Sequence, residues 1–342
     1  MAHAVPLSGS GPAPWIQTNG PSGGIISTVE IDPDHPDILY AGGTGGGVFK
    51  TVDGGATWTM LEQVVSPSRQ IHDLLVSPND PRIVYALAGR LYQSTNSGQS
   101  WQLLDQDLWF SCVAMDSASP RVLIAGTWDG KVYHSANAGE DWTDVTADLP
   151  GDRIAAVAIG GSNEFWAGTA NGSNGRLYHT TDGGASWNGM DIGQRAETDI
   201  HTIFIDPEDT TTVYVGLVDV HNESFDSQND AYLLKTQDGG THWEPLYLPS
   251  TDAMINVIGR APADNTLYIG TGGTVYKSGD GGQNWTWIGP PGRNGDMYDI
   301  AVDPRDSDVL CRHLQEHRRR PELAREQRRL DQRRRLFPGL LP

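Results

Sequence analysis

One nine-residue stretch recurs six times, and no other feature limits the fold so strongly. KTVDGGATW (50–58) returns as QSTNSGQSW (93–101), HSANAGEDW (134–142), HTTDGGASW (179–187), KTQDGGTHW (235–243) and KSGDGGQNW (277–285). The closing tryptophans, Trp58, Trp101, Trp142, Trp187, Trp243 and Trp285, lie 43, 41, 45, 56 and 42 residues apart. Self-similarity at such a period indicates an array or a propeller built from one supersecondary unit.

Aligning the copies on their tryptophans exposes that unit. In the first it reads IISTVEID, PDHPD, ILYAGG, TGGG, VFKT, VDGGA, TWTML (25–61): four short runs of β-branched and aromatic residues parted by turn residues. Four antiparallel strands per roughly 40 residues describe a propeller blade, which buries both faces against its neighbours. The first strand recurs as IHDLLVSP (71–78), FSCVAMDS (110–117), IAAVAIGG (154–161), IHTIFIDP (200–207), INVIGRAP (255–262) and MYDIAVDP (297–304). Seven first strands against six complete units predict an all-β propeller of seven-blade design, six blades complete and the seventh defective. The domain is expected over 12–310, with the strand-like PAPWIQTNGP (12–21) pairing with the last blade to close the ring and remove its open edges.

The recurrent box falls at the turn between third and fourth strands. Asp53 and its counterparts Asn96, Asn137, Asp182, Asp238 and Asp280 carry short side chains able to accept backbone N–H groups within the turn. Asn stands in twice for Asp, which suits hydrogen bonding and not proton transfer. Gly54 and Gly55 allow positive φ, and Trp58 supplies a large apolar area for packing. A side chain repeated six times round a ring staples blades; it does not form one active site.

The pattern [ST]-x-[DN]-x-G-x-x-W resembles the Asp-box, or BNR, repeat of sialidases, xyloglucanases, sortilin-type receptors and photosystem II assembly factors. The run from Trp15 to Gly24, W-x-x-x-G-P-x-G-G, followed by DILYAGGTGGGVFKTVDGGATW, looks most like the sortilin and xyloglucanase-like branch. The resemblance implies a propeller and an extracytoplasmic or secreted setting. It does not imply one function, because such propellers host enzymes and binding scaffolds alike.

Charge divides the chain. Residues 311–342 hold ten arginines against Glu316, Glu322, Glu326 and Asp331, and the remaining 310 residues hold 14 basic and 39 acidic side chains. A body at −25 repels nucleic acid and anionic membrane, so neither is an expected partner. No apolar run approaches the length of a membrane span. The start, MAHAVPLSGSGPAPW, lacks the positive end and apolar centre of a signal peptide. The tail from 311 departs from the repeat and reads most readily as a reading-frame slip in GC-rich DNA. A basic helix over PELAREQRRLDQRRRL and an arginine-rich arm are the other two readings. With Cys112 and Cys311 so far apart, no disulfide framework is expected.

A ligand site, where present, belongs at one mouth of the axis, shared by the starts of the first strands and the loops between strands two and three. Register puts Ser27, His72, Ser111, Ala155, His201, Asn256 and Tyr298 at one level, with Gln70, Trp109, Arg153, Asp199, Met254 and Asp296 two residues earlier at the rim. His72, Trp109, Arg153, Asp199, His201 and Tyr298 are the candidate ligand contacts of a polar pocket; a merely water-filled channel is the alternative. The long loop within GLVDVHNESFDSQNDAYLLKT (216–236) should overhang the same mouth and offers Asp219, His221, Glu223, Asp226 and Asp230 to a cation or to sugar hydroxyls. No cofactor is expected, and His72 and His201 are too separated to predict a metal site.

Catalysis finds little support in the motifs. Sialidases use an arginine triad and an Arg-Ile-Pro motif near the N-terminus, whereas Arg69 is the first arginine here, and Arg69, Arg153 and Arg260 lack that context. Xyloglucanases carry an acid in A-R-T-D-x-G-G of their first blade, where this chain has AGGTGGG with Thr44 in the acid's place. Hydrolysis between two carboxylates thus lacks its pair. The expectation is a monomeric, non-catalytic scaffold for a protein or carbohydrate ligand; the alternative is a glycoside hydrolase of sialidase or xyloglucanase type.

Overall fold

A computed structural model of the chain describes residues 25–45, 47–61, 70–172, 174–193, 198–219, 233–249, 254–271, 274–288, 299–305 and 309–311. They form six four-stranded antiparallel sheets over 26–60, 73–103, 110–144, 154–190, 198–246 and 255–287, each a simple meander in chain order. First strands lie innermost, packed on the first strands of the neighbouring blades.

The architecture is a six-blade propeller, which corrects the seven-blade expectation. The seventh first-strand segment does form a strand, Ile300–Val302, but among the described residues it pairs only with Val309–Cys311, as a two-stranded hairpin. Residues 312–342 hold no tryptophan and no paired glycines, so the box that closes the other six blades does not recur there. The hairpin sits between blades six and one. Ile300 packs with Ala261, Tyr268 and Val275, while Ala301 packs with Val29 and Leu39. Asp299, just ahead of it, accepts the Val29 N–H at 2.9 Å and the Thr28 hydroxyl at 3.1 Å. The segment 12–21, expected to complete the ring, and the tail 312–342 lie outside the described residues.

Apolar side chains are buried between blades rather than within them. Tyr40 and Val48 of blade one meet Ile71, Leu74, Val84 and Tyr92 of blade two. Tyr85, Leu87 and Leu91 meet Phe110, Val113 and Leu123 of blade three, and the same arrangement continues round the ring. Second strands, enclosed by both neighbours, are buried along their length in LYAGG, VYAL, LIAGT and LYIGT. Their continuous apolar reading follows from that two-sided burial.

The box closes each blade with one hydrogen-bond set. In blade one the buried Thr51 hydroxyl donates to Asp53 Oδ1 at 2.7 Å and accepts the Gly55 N–H at 3.0 Å, while Asp53 Oδ1 accepts the Thr57 N–H at 2.8 Å. The same bonds recur with Ser94 and Asn96, Ser135 and Asn137, Thr180 and Asp182, Thr236 and Asp238, and Ser278 and Asp280. Asn serves because Oδ1 makes the shared contacts. Where the residue is Asp, hydrogen bonds hold its carboxyl at about 2, below the usual range.

The two turn glycines differ in what they do. The first position has positive φ but is Ser97 in copy two and Ala138 in copy three. The second is glycine in all six copies. A Cβ there would fall 2.4 Å from Leu61 at Gly98, 2.7 Å from Leu104 at Gly139 and 2.6 Å from Leu246 at Gly282. Each of those leucines ends the preceding blade, so this glycine is where one blade's turn seats on its neighbour. The tryptophans point the same way. Trp101 joins the core between blades one and two, Trp142 that between two and three, and Trp187 that between three and four. Trp187 also donates its indole N–H to the Val145 carbonyl at 2.8 Å.

Candidate functional site

Two ends of the ring are distinguished by their turns. The box turns lie beside the turns joining strands one and two: Gly54 donates to Asp37, Ser97 to Arg82, Ala138 to Arg121, Gly183 to Asn163 and Gly239 to Thr211. At the opposite end, the loops joining strands two and three meet the starts of the next first strands, as in Phe110 N–H to the Gly89 carbonyl and Gly175 N–H to the Thr198 carbonyl. That end is the mouth, and the box residues lie away from it.

A repeated irregularity shapes the mouth. First strands of blades one, three, four, five and six skip register at Ser27, Ser111, Ala155, His201 and Asn256, leaving one bulge residue each outside the strand-pair register. Bulges re-aim side chains, and here they stitch adjacent blades together. The Ser27 hydroxyl donates to the Ile71 carbonyl, the Ser111 hydroxyl to the Ile154 carbonyl, and His201 hydrogen-bonds to the Ile255 backbone. The matching second-strand residue is glycine because the next blade's isoleucine lies against it; at Gly168 a Cβ would stand 2.3 Å from Ile200 Cγ2. Ser27, Ser111, Ala155, His201 and Asn256 thus occupy equivalent places in their first strands, and at least three of these residues serve as inter-blade clips.

Two arginine–tryptophan pairs dominate the rim. Arg90, in the loop between strands two and three of blade two, lies 4.8 Å from the ring centre of Trp109 on the approach to blade three. Arg153, on the approach to blade four, lies 4.0 Å from the ring centre of Trp128 in the corresponding loop of blade three. Both indoles face solvent, at 43% and 51% exposure. Both arginines are half-buried, each has an Nε enclosed without a hydrogen-bond partner, and neither has an ion pair among the described residues.

Arg153 is also the electrostatic centre of the mouth. Its charge acts on His72 from blade two and His201 from blade five, and it is itself influenced by Cys112 and Asp199. Burial lowers the pKa of both histidines and the Arg153 charge lowers them further, so both rings are neutral near neutral pH. Burial pushes the Cys112 thiol up to about 12.

Of the other sequence-predicted residues, Asp199 has its oxygens engaged within the protein. Its carboxylate accepts N–H groups from Asn171 at 3.2 Å, Gly172 at 3.0 Å and Gly175 at 3.1 Å, shaping the loop of blade four. Asp219 ends the second strand of blade five opposite Thr198. Its side chain, together with His221, Glu223, Asp226, Asp230 and Tyr298, lies outside the described residues. Among the described residues no group of three His, Cys, Asp or Glu side chains could hold a metal ion, and no helix is long and apolar enough to cross a membrane.

Two features escaped sequence reasoning. Trp128 and Arg90 sit in loops read only as turns, although an exposed-looking W-D-G between strands was the available signal. Deeper along the axis lie Glu30, Asp73 and Asp299, from blade one, blade two and the approach to the hairpin. Burial raises all three, and mutual repulsion adds to Glu30 and Asp73, taking Asp73 to about 8 and Asp299 to about 6. Asp73 and Asp299 share a register position one residue past His72 and Tyr298, a coincidence visible only once the first strands are aligned.

Comparison with known proteins places the fold. A family model described as the DUF6242 beta propeller domain matches residues 37–171. The chain is 30% identical over 118 residues to the photosystem II assembly lipoprotein Ycf48 of Synechococcus sp. (strain CC9902), covering 33% of this chain and 31% of that protein. It is 24% identical over 293 residues to a xyloglucanase of Paenibacillus sp., covering 77% of this chain and 26% of the enzyme. Among solved structures, a Ycf48 bound to D1 peptide superposes with a TM-score of 0.63 at 16% identity, over 89% of this chain and 99% of that one. The matches thus span less than a third of either curated relative. What the chain shares with all of them is the β-propeller.

Proposed function

We propose that this propeller is a non-catalytic scaffold that binds a protein segment across its axial mouth. The observation that carries the reading is the pair of exposed indoles, each backed by an arginine with no ion pair among the described residues. An exposed aromatic plane with a cation behind it suits an apolar or aromatic side chain flanked by polar backbone. The Ycf48 structure holding a peptide supports a protein partner over a carbohydrate. Asp199 acts as a loop organiser beneath the site, while His72 and His201 border it. A monomer suffices, because the blades bury their apolar faces against one another.

Similarity to the xyloglucanase favours one second reading, hydrolysis of a β-glucan. Against it, Thr44 accepts the Ile25 N–H where that family carries an acid, and the carboxylates with raised pKa lie along the inner strands. Trp109→Ala with Trp128→Ala should weaken ligand capture on paired peptide and glycan arrays while the melting temperature stays nearly unchanged. Capture that survives both substitutions would place the site elsewhere, and turnover of a β-glucan would overturn the non-catalytic reading.

A further inference from the structure

The mouth carries a feature that a merely aromatic docking surface would not need. Arg153 is held half-buried on Trp128, its Nε is enclosed and unpartnered, and two neutral histidines from other blades lie within range of its charge. Enclosing a guanidinium without a carboxylate is costly, and an incoming anion would relieve that cost. Resting on the binding-scaffold reading, we infer that Arg153, flanked by His72 and His201, receives a single carboxylate of a bound peptide, with neighbouring apolar side chains on Trp128 and Trp109.

The charge of the body selects for one carboxylate rather than many. Residues 1–310 carry a balance of −25, so a polyanion meets strong long-range repulsion, whereas a lone carboxylate meets far less, and contact with Arg153 can outweigh it. Nearby acids do not occupy the arginine. Asp199 is engaged by three backbone N–H groups. Asp152 accepts the Asn171 side-chain amide, and Asp129 accepts the Thr127 hydroxyl.

The histidines couple this recognition to pH. His201 hydrogen-bonds through one ring nitrogen to the Ile255 backbone, which leaves its other nitrogen to take up a proton. Arg153 acts on both rings and Asp199 on His201, while Asp73 follows His72 in the chain and Cys112 lies within range of both Asp73 and Arg153. Protonation of a histidine beside Arg153 alone is disfavoured; a bound carboxylate reverses that balance, so binding draws in protons and strengthens as pH falls.

The test uses acetylated, fluorescein-labelled hexapeptides of Leu, Ala and Phe with one central Glu, the same peptides with Gln, and a neutral version ending in a free or an amidated C-terminus. Fluorescence polarisation at pH 6 should give the Glu peptides about tenfold or more higher affinity than the Gln peptides, a preference that Arg153→Ala removes. If the free C-terminus alone binds, the carboxylate comes from a chain end; if the internal Glu binds, it comes from a side chain. Affinity should fall about fivefold from pH 6 to pH 8, and His72→Gln with His201→Gln should flatten that fall; an unchanged fall removes the histidines from the inference. Equal binding of Glu and Gln peptides, abolished by Trp109→Ala with Trp128→Ala but indifferent to Arg153→Ala, would overturn the carboxylate and leave the scaffold reading standing. Binding indifferent to all these substitutions, or no binding of any peptide, would overturn both.

Discussion

Two adjacent glycines of one turn should respond very differently to the same added methyl group. Gly239 and Gly240 both have positive φ, 68° and 91°, so alanine at either costs about 1–2 kcal/mol for the left-handed backbone. A gain of about 0.4–1 kcal/mol from the stiffer unfolded chain offsets part of it. At Gly239 that is the whole effect, since no atom lies within 4 Å of the new Cβ, and the net loss is about 1 kcal/mol. At Gly240 the Cβ would stand 2.4 Å from Met190 Cε and 2.9 Å from Trp166 Cη2. Met190 can swing aside. Trp166 cannot, being fully buried and stacked 3.9 Å from His179. Overpacking of this kind adds about 1–3 kcal/mol, for a total of about 2–4 kcal/mol. Equilibrium urea unfolding of Gly239→Ala and Gly240→Ala, compared through midpoints at a common slope, measures the difference. Equal losses, or a smaller loss at Gly240, would refute the claim that the second glycine is an inter-blade seat.

Thr180→Ala should cost about 1–2 kcal/mol, because the buried hydroxyl is bonded to both the Gly184 N–H and the Asp182 carboxylate. Asp182→Asn should leave unfolding nearly unchanged, since Asn96 and Asn137 already hold that place. The pH profile should be peaked. Asp53, Asp182, Asp238 and Asp280, held at about 2, support the fold above the ordinary carboxylate pKa, and their contribution drains away as pH falls from about 4 to about 2. Asp299 at about 6, Asp73 at about 8 and Glu30, all raised, weaken the fold as pH climbs from about 4, where the unfolded carboxyls ionise, until each ionises in the folded protein. Differential scanning fluorimetry should therefore find the highest melting temperature near about pH 4, and Asp73→Asn should lessen the decline above it. A melting temperature that rises from pH 6 to pH 8.5 would contradict this.

Repeated features were legible in the sequence and singular ones were not. Six boxes at one spacing announced four-stranded blades, because each blade solves the same packing problem with the same residues. Ring closure is solved once. Seven first-strand segments suggested seven blades, yet Ile300–Val302 finds only one partner strand among the described residues, and the box does not recur beyond Cys311. Within the box, Asp and Trp drew attention by chemistry and size, while the hub is the small hydroxyl of Thr51 and its counterparts, whose burial no local pattern announced. At the mouth, register put His72, Arg153 and His201 near one opening of the axis, and the Arg153 charge does act on both rings. Register could not reveal that Asp199 turns its oxygens to three N–H groups of another loop, nor that Trp128 lies under Arg153, since both depend on contacts between loops far apart in sequence.

Placing the apolar cores between blades has a consequence for how the chain acquires its order. A blade made alone has two uncovered faces, so order is gained one junction at a time as each new blade covers the last. Because the seams differ, protection against amide exchange should be graded around the ring. The junction of blades three and four, where Ile124, Phe165 and Trp187 are enclosed, belongs at the slow end. The thin join through Ala301, Val29 and Leu39 belongs at the fast end. The ring then behaves as a belt with one buckle, able to loosen there and re-fasten while the rest stays folded.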